Sequence, residues 1–353
     1  MIDLDDTDIH EQLDPSNMRG RIIELPQQCL KAWQQALDFA LASHYSSVDK
    51  VIILGMGGSA IAGDLLSGLI AGECRVPIVV NRDYDLPPFV DASTLVIASS
   101  YSGMTEETLS AFEQALATPA RKIVITTGGR LKDLAEQRDI PVFSIGYTAP
   151  PRAALAHSLF PLLGICQSLG LISDKTADVA ETARVLEDMQ TTLGTGCSEE
   201  VNGAKQLAKK LHGRIVVVYG GGILAPVAQR WKTQINENSK AWAFYETFPE
   251  LNHNAVVGYE FPDDMAQSMS VVMLRSRRLH PRILLRYQVT SEILRRANVG
   301  HEPVDGLGES ALSQVMSLVL LGDWVSYYLA LLYETDPSPV EAISELKKRL
   351  EQS

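Results

Sequence analysis

Cysteine is scarce. The 353 residues hold four, Cys29, Cys74, Cys166 and Cys197, with no CxxC pair and no metal-ligand spacing. That excludes a zinc ribbon or a disulfide framework and leaves free, mostly buried thiols in a reducing compartment. Basic residues are short too: 31 Lys and Arg stand against 43 Asp and Glu, for a net charge of −12. Nucleic acid as the main partner is thereby excluded, because phosphate neutralisation needs a Lys/Arg excess. A local site for a small anion is not. An uninterrupted apolar run of membrane length is also missing. The longest stretch, ALSQVMSLVLLGDWVSYYLALLY (Ala311–Tyr333), is broken by Ser, Gln, Gly322 and Asp323 and reads as a long buried helix. The start, MIDLDDTDIHEQ, is acidic and polar, unlike a signal or transit peptide. Low-complexity segments and a His/Glu/Cys ligand set are absent as well. A cytoplasmic protein with no membrane partner, no metal and no cofactor is expected.

What is present is a repeated α/β pattern. After a helical leader, PQQCLKAWQQALDFAL, the stretch KVIILGMGGSAIAGDLLSGLI gives a β-branched strand, a glycine turn and a helix. PIVVNRDY, STLVIASS, KIVITTGG and PVFSIG supply further strands, the middle two followed by helices. Strands alternating with helices imply a parallel sheet covered on both faces. Strand signals then stop over 151–212, and RIVVVYGGGILAPVAQRWKTQINENSK restarts the same strand, glycine turn and helix. KAWAFYET, MSVVMLRS and VGHEPVD are its later strands, and two long helices end the chain. The expected fold class is α/β, with two doubly wound parallel sheets. The expected boundaries are a leader plus first domain over 1–150, a helical connection over 151–212, and a second domain with C-terminal helices over 213–353.

Two loops carry chemistry. GMGGSA (Gly55–Ala60) turns a strand sharply into a helix, which leaves backbone N–H groups at a helix N-terminus and suits an anion. It also fits GxGxxG/A loosely, so a nucleotide-dependent dehydrogenase is one reading, and a plain tight turn is another. Against the dinucleotide, the second strand ends VVNRDYD, where Arg82 precedes Asp83 and no clean ribose carboxylate stands. The third strand runs into SSYSGMTEET (Ser99–Thr108), which offers Ser100, Ser102 and Thr105 around Gly103, with a helix starting at about Met104. Ser102 or Thr105 could simply cap that helix. Three hydroxyls beside a glycine exceed what a cap needs and match the donors a phosphomonoester wants.

GMGGSAIAGDLL and SSYSGMTEETL resemble the sugar isomerase (SIS) domain, and the tandem repeat resembles the bifunctional phosphoglucose/phosphomannose isomerases of the phosphoglucose isomerase superfamily. The resemblance implies two SIS-type domains and a hexose 6-phosphate substrate. It makes Gly58, Ser59, Ser100, Ser102 and Thr105 the phosphate-binding positions. It implies aldose–ketose isomerisation through an enediolate, with Glu237 as base, His253 as the ring-opening histidine, Arg152 as the cation at the developing oxyanion, and Lys347 assisting ring opening. In related isomerases the histidine reaches a partner's site, so a homodimer with shared active sites is implied. Alone, Glu237 in QINENSK is an ordinary solvated helix end and His253 in ELNHNA a loop histidine. Glu246 and Glu250 are local rivals for the base. Arg152 follows two prolines, which pin its backbone. His157 reads as a packed helix residue. Val340, Ile343, Leu346 and Leu350 give the last helix an apolar face, with Lys347 angled inward beside it. Relatives have a DPTP-like stretch where this chain has DPSP, with Ser338 keeping a hydroxyl. The rival to an enzyme is a non-catalytic SIS regulator that binds a phosphosugar and needs no base.

Overall fold

A computed structural model describes residues 2–262, 265–350 and 352. The chain opens with α1 (Thr7–Leu13), α2 (Met18–Ile23) and α3 (Leu25–Leu37). Then come β1 (Lys50–Leu54), α4 (Gly57–Ile70), β2 (Ile78–Asn81), β3 (Thr94–Ser99), α5 (Glu106–Leu116), β4 (Arg121–Thr126), α6 (Gly129–Glu136) and β5 (Val142–Ser144). Helices α7 (Ala156–Ser168), α8 (Thr176–Leu193) and α9 (Gly203–Leu211) follow. The second sheet's part runs β6 (Ile215–Gly221), α10 (Ala225–Ser239), β7 (Ala243–Phe248), α11 (Met265–Ser268), β8 (Met269–Arg275), α12 (Pro281–Arg296) and β9 (Gly300–Asp305). Helices α13 (Ala311–Leu332) and α14 (Glu341–Leu350) close the chain.

Two compact units form. The first is residues 24–184 with 308–313; the second is 1–23, 185–307 and 314–353. The sequence expectation set its breaks at 150 and 212. By contact, α7 and most of the leader count with the first sheet, and residues 1–23 with the second.

The first unit is a five-stranded parallel sheet in the order β2-β1-β3-β4-β5. Its central strands are apolar along their whole length because helices cover both faces: β3 is buried at every position and β1 at all but its first. The edge strands β2 and β5 are partly open, as their shorter apolar runs allow. The order reverses direction between β1 and β3. Outside the carboxyl ends of those two strands lies the crevice where open α/β sheets take ligands. The loops that leave β1 and β3 are GMGGSA and SSYSGMT, so topology puts the two singled-out loops side by side.

The second unit is a four-stranded parallel sheet, β7-β6-β8-β9, and its reversal lies between β6 and β8. Helix α13 is long and apolar enough to cross a membrane, yet 94% of its most apolar window is packed inside the protein. The residues that interrupt its apolar run have tasks. Asp323 accepts Arg230 through both carboxylate oxygens at 2.9 and 3.0 Å, and Gln234 at 2.7 Å. Asn238 donates to Ser326 Oγ at 3.0 Å and Ser239 to the Ser326 carbonyl at 2.7 Å. Gly322 leaves room for the Trp231 indole, which would lie 2.4 Å from a Cβ there. Residues 230, 234, 238 of α10 recur every fourth position, so one face of the helix is fastened to α13 by polar contacts.

Both partners of the Arg230–Asp323 pair are nearly excluded from solvent, so removing one leaves a buried, uncompensated charge. Asp323→Ala is expected to lower the unfolding free energy of the second unit by about 3–5 kcal/mol, and Arg230→Met with Asp323→Leu to recover most of it. Urea unfolding followed by tryptophan fluorescence checks this; a single variant as stable as the wild type would show that the pair does not hold α10.

Candidate functional site

The first half of the site begins with close backbone approaches. A Cβ on Gly55 would lie 2.9 Å from the Ser99 carbonyl oxygen and 3.3 Å from Ser59 Cβ, so glycine lets the ends of β1 and β3 touch. Ser59, in the first turn of α4, is buried there. Gly57 has φ +49 and open space where its side chain would be. No side chain caps the α4 N-terminus. Ser59 N–H turns back to the Met56 carbonyl at 3.1 Å, and the positive end of the helix dipole stands at that space.

The hydroxyl loop is held on the other side. Ser100 N–H continues the sheet to the Ile125 carbonyl at 3.1 Å. Ser100 Oγ and Thr105 Oγ1 share a hydrogen bond of 2.8 Å, and Ser100 Oγ also accepts the Gly103 N–H at 3.1 Å. Gly103 has φ +66, and a Cβ on it would sit 1.8 Å from the Gly128 carbonyl oxygen. Gly129 in turn has φ +70 and would bring its Cβ within 2.6 Å of the Ser102 carbonyl oxygen. The TTGG that ends β4 is thus the wall on which the hydroxyl loop is built, a signal present in the sequence and not used there.

The capping alternative fares differently at its two residues. Helix α5 starts at Glu106, two residues later than expected, and Thr105 is its N-cap by position. Yet no side chain caps it, because the Thr105 hydroxyl is turned to Ser100. Ser102 Oγ accepts the Met104 N–H at 3.2 Å and is exposed. Two uncapped helix N-termini and a set of small hydroxyls therefore flank one crevice. This can take a tetrahedral oxyanion without desolvating a lysine or arginine.

Arg152 lies in a short 3-10 turn over Pro151–Ala153 and is buried, 4% exposed, so it is not a solvated surface arginine. The Pro151 carbonyl oxygen lies 3.1 Å from where a Gly58 Cβ would be, so Gly58 lets the arginine segment seat on the start of α4. Gly58, Ser59, Ser100, Thr105 and the Arg152 backbone thus belong to one unit. His157 is packed in α7 as expected, stacked on Tyr147 at 4.7 Å, with burial pushing it down to about 4 and keeping it neutral. At the end of β2, Arg82 is paired with Asp64 of α4.

The second half is in the other unit. Glu237, on the last turn of α10, is half-buried in a cleft of about 620 Å³ with Asn236, Lys240, Asp336, Val340 and Ile343. Lys240 ends α10 in the left-handed conformation, φ 52, and its Nζ donates to the Asn238 carbonyl at 3.1 Å and to that of Asp336. It is a cation beside the expected base that the sequence reading passed over. The rivals are placed elsewhere. Glu246 lines a separate, mostly apolar cavity with Tyr219, Tyr259 and Phe261, and Glu250 Oε1 accepts the Asn254 amide at 2.9 Å.

His253 ends a 3-10 turn that is anchored by buried Leu251 and by Asn252, which donates to Thr290 at 2.8 Å and accepts from Arg286 at 3.2 Å. Its own side chain is exposed, and it does not line the Glu237 cleft. The same holds for Lys347. Helix α14 is exposed along its length, including the apolar Ile343, Leu346 and Leu350, so within one chain Lys347 is not turned inward as expected. Ser338 sits in the DPSP turn, its N–H on Asp336 Oδ1 at 2.8 Å.

The glycine turn of the repeat is not a second copy of the first. Cβ atoms on Gly221 and Gly222 would meet Phe248, Ile283 and Leu279 within 3.1 Å. The loop after β8 reads SRRLH, and its one hydroxyl, Ser276, is bonded to Gln314. Apolar side chains fill the place that lies open beside Gly57.

Comparison with known proteins gives a consistent result. Residues 200–350 match the family model of the bacterial phospho-glucose isomerase C-terminal SIS domain. A bifunctional phosphoglucose/phosphomannose isomerase of Caldicellulosiruptor bescii is 43% identical over 330 residues, covering 93% of this chain and 97% of the relative. That of Aquifex aeolicus is 36% identical over 301 residues, covering 85% and 90%. Among solved structures, the tagatose-6-phosphate ketose/aldose isomerase of Escherichia coli superposes with a TM-score of 0.70 over 91% of this chain and 95% of that one, at 18% identity. The fold is the tandem SIS fold that the glycine turn and hydroxyl loop imply.

Gly103→Ala tests the interlocked glycines. The positive φ alone costs about 1–2 kcal/mol for alanine, and the carbonyl contact adds to it. The expected loss is about 2 kcal/mol or more in thermal unfolding, with far-UV circular dichroism unchanged; an unaltered melting temperature would mean that the loop does not close on Gly128.

Proposed function

Since the chain belongs to the bifunctional phosphoglucose/phosphomannose isomerase family, we propose that it interconverts glucose 6-phosphate and mannose 6-phosphate with fructose 6-phosphate, as a cytoplasmic homodimer. The observation that carries the reading is the Ser100–Thr105 hydroxyl pair beside uncapped helix N-termini at the reversal of the first sheet. Ser59, Ser100, Ser102, Thr105 and the backbone at Gly58 take the 6-phosphate, which fixes the sugar by its inert end. His253 and Lys347 open the ring and free the carbonyl. Glu237 then removes the proton from C2 of the aldose. The carbonyl oxygen takes up the electron pair as an enediolate, which Arg152 stabilises. The hydroxyl proton passes from O2 to O1, and return of the proton from Glu237 to C1 then gives the ketose; the reverse path starts at C1. Glucose and mannose differ only at C2, and the planar enediolate has no configuration there, so one base serves both epimers when rotation about C2–C3 turns the other face of C2 toward it.

The regulator alternative uses the same hydroxyl loop and leaves Glu237, set in its own cleft, without a task. For the dimer, the support is that His253 is exposed and does not line the Glu237 cleft, while the stretch 242–261 in which it lies leaves large apolar residues open: Trp242, Phe244, Val257 and Phe261, the most open of them 78% exposed. A partner covering that face would remove them from water. Cytoplasmic placement rests on four cysteines that are all unpaired.

A coupled assay with fructose 6-phosphate, following both aldose phosphates, tests the activity. Glu237→Gln keeps shape and hydrogen bonding but cannot accept a proton. Its kcat should fall by roughly 10²–10⁴ with KM little changed. Ser100→Ala with Ser102→Ala should instead raise KM, since each hydrogen bond to a charged group is worth about 1.5–3 kcal/mol. Normal turnover in Glu237→Gln would remove it as the base, and an unchanged KM in the double variant would remove the phosphate assignment.

Subunit sharing makes its own prediction. Mixing inactive Glu237→Gln with inactive His253→Ala under conditions of subunit exchange should restore activity, because one composite site in the mixed dimer is intact. A fully active monomer on calibrated size exclusion would refute it.

A further inference from the structure

The tyrosine inside the hydroxyl loop has no task in the reaction as derived. Tyr101 stands between Ser100 and Ser102. Its phenol donates to the Tyr147 carbonyl at 2.6 Å and accepts the Ala149 N–H at 2.8 Å. Both capacities of the hydroxyl are thus used on a single stretch of backbone, 46 residues away in sequence. Its own carbonyl is gripped by Thr127, through the N–H at 3.0 Å and the hydroxyl at 2.8 Å. The far end is equally fixed. Tyr147 Oη donates to Glu24 at 2.8 Å and accepts from Gln28 at 2.9 Å, and its ring stacks on His157. Three residues beyond Ala149 comes Arg152, with the Pro151 carbonyl resting on Gly58.

The segment 147–152 therefore has two anchors on the anion pocket: Tyr101 on the hydroxyl loop and Gly58 on the α4 N-terminus. Packing alone does not require the first. Tyr101 is only half-buried, and phenylalanine would fill the same volume. What the hydroxyl adds is a fixed distance between the loop that meets the phosphate and the segment that carries the guanidinium. We propose that Tyr101 is a positioning residue, whose phenol sets Arg152 at a constant offset from the bound phosphate so that the guanidinium meets charge developing on the sugar. The inference rests on the isomerase reading, in which Arg152 faces the enediolate. Through this strap a loop read as a phosphate grip also governs the chemical step.

The test separates phosphate from sugar. Tyr101→Phe keeps the ring and removes both bonds. Binding of inorganic phosphate should stay within about twofold, because the Ser100–Thr105 pair and the helix ends are untouched. Binding of 5-phosphoarabinonate, whose carboxylate stands where enediolate charge develops, should weaken at least about tenfold, and kcat should fall by at least that factor with KM little changed. In an Arg152→Ala background the same substitution should add no further loss of 5-phosphoarabinonate binding. Equal weakening of both ligands, an additive loss in the Arg152→Ala background, unchanged 5-phosphoarabinonate binding, or failure of Tyr101→Phe to fold would each overturn the positioning role. Absence of turnover in the wild type would instead count against the isomerase reading, and the two binding ratios would still decide whether Tyr101 sets Arg152.

Discussion

Two backbone contacts that only glycine permits underlie the anion pocket: Gly55 against the Ser99 carbonyl and Gly103 against the Gly128 carbonyl. The first closes the gap between β1 and β3 at their carboxyl ends, where a parallel sheet reverses its order and would otherwise open a wide crevice. The second locks the loop that follows β3 onto the end of β4. Between them the hydroxyls of Ser59, Ser100 and Thr105 have little freedom left to lose when a ligand arrives. Ordering them is done by the fold and not by a ligand, and on the proposed reading that preorganisation is what lets weak, neutral donors bind.

The tandem repeat shows what happens when the same frame is put to other use. Both sheets carry a strand, a glycine turn and a helix at the reversal. In the first, the space beside Gly57 is open and the next loop is rich in hydroxyls. In the second, Leu279, Phe248 and Ile283 close on Gly221 and Gly222. The helix after that turn, α10, is fastened to α13 along one face by Arg230, Gln234, Asn238 and Ser239. Such a helix end can hold a carboxylate at a set position, because the polar ladder resists both rotation and sliding of α10. The first repeat keeps its turn open beside the hydroxyl loop. The second gives up the turn and keeps the helix end.

Much of this was legible in the sequence, and the boundary between what was and was not has a physical cause. Strands announced themselves by β-branched runs, turns by glycine, and the crevice by the coincidence of hydroxyls with a strand end. All of these are local signals. The partner of Arg230 lies 93 residues away, and the partners of the Tyr101 phenol 46 or more residues away. Nothing in the spacing of either residue announces such a contact. Lys240 was missed for a different reason: a lysine in the left-handed conformation at a helix end looks like any solvated lysine until the cleft beside it is seen. The amphipathic stripe of α14 was legible as a stripe, but a stripe says only that some surface must cover it. In one chain none of α14 is buried, and the expected inward turn of Lys347 fails with it.

A chain with a net charge of −12 that binds a dianion must overcome its own field at the site. A cluster of lysines would do so, but each ammonium would have to be desolvated. Hydroxyls and helix N-termini avoid that cost. They are neutral groups whose dipoles act over a few ångströms, so the attraction is confined to the crevice and cannot recruit anions elsewhere on the acidic surface. Arg152 is the exception, a full charge that is nine-tenths or more buried beside that pocket. On the proposed reading that charge acts on the negative charge that develops during reaction. A guanidinium facing the phosphate would add equally to the binding of every hexose phosphate. One facing the enediolate is used most strongly in the transition state, and there its stabilisation lowers the barrier.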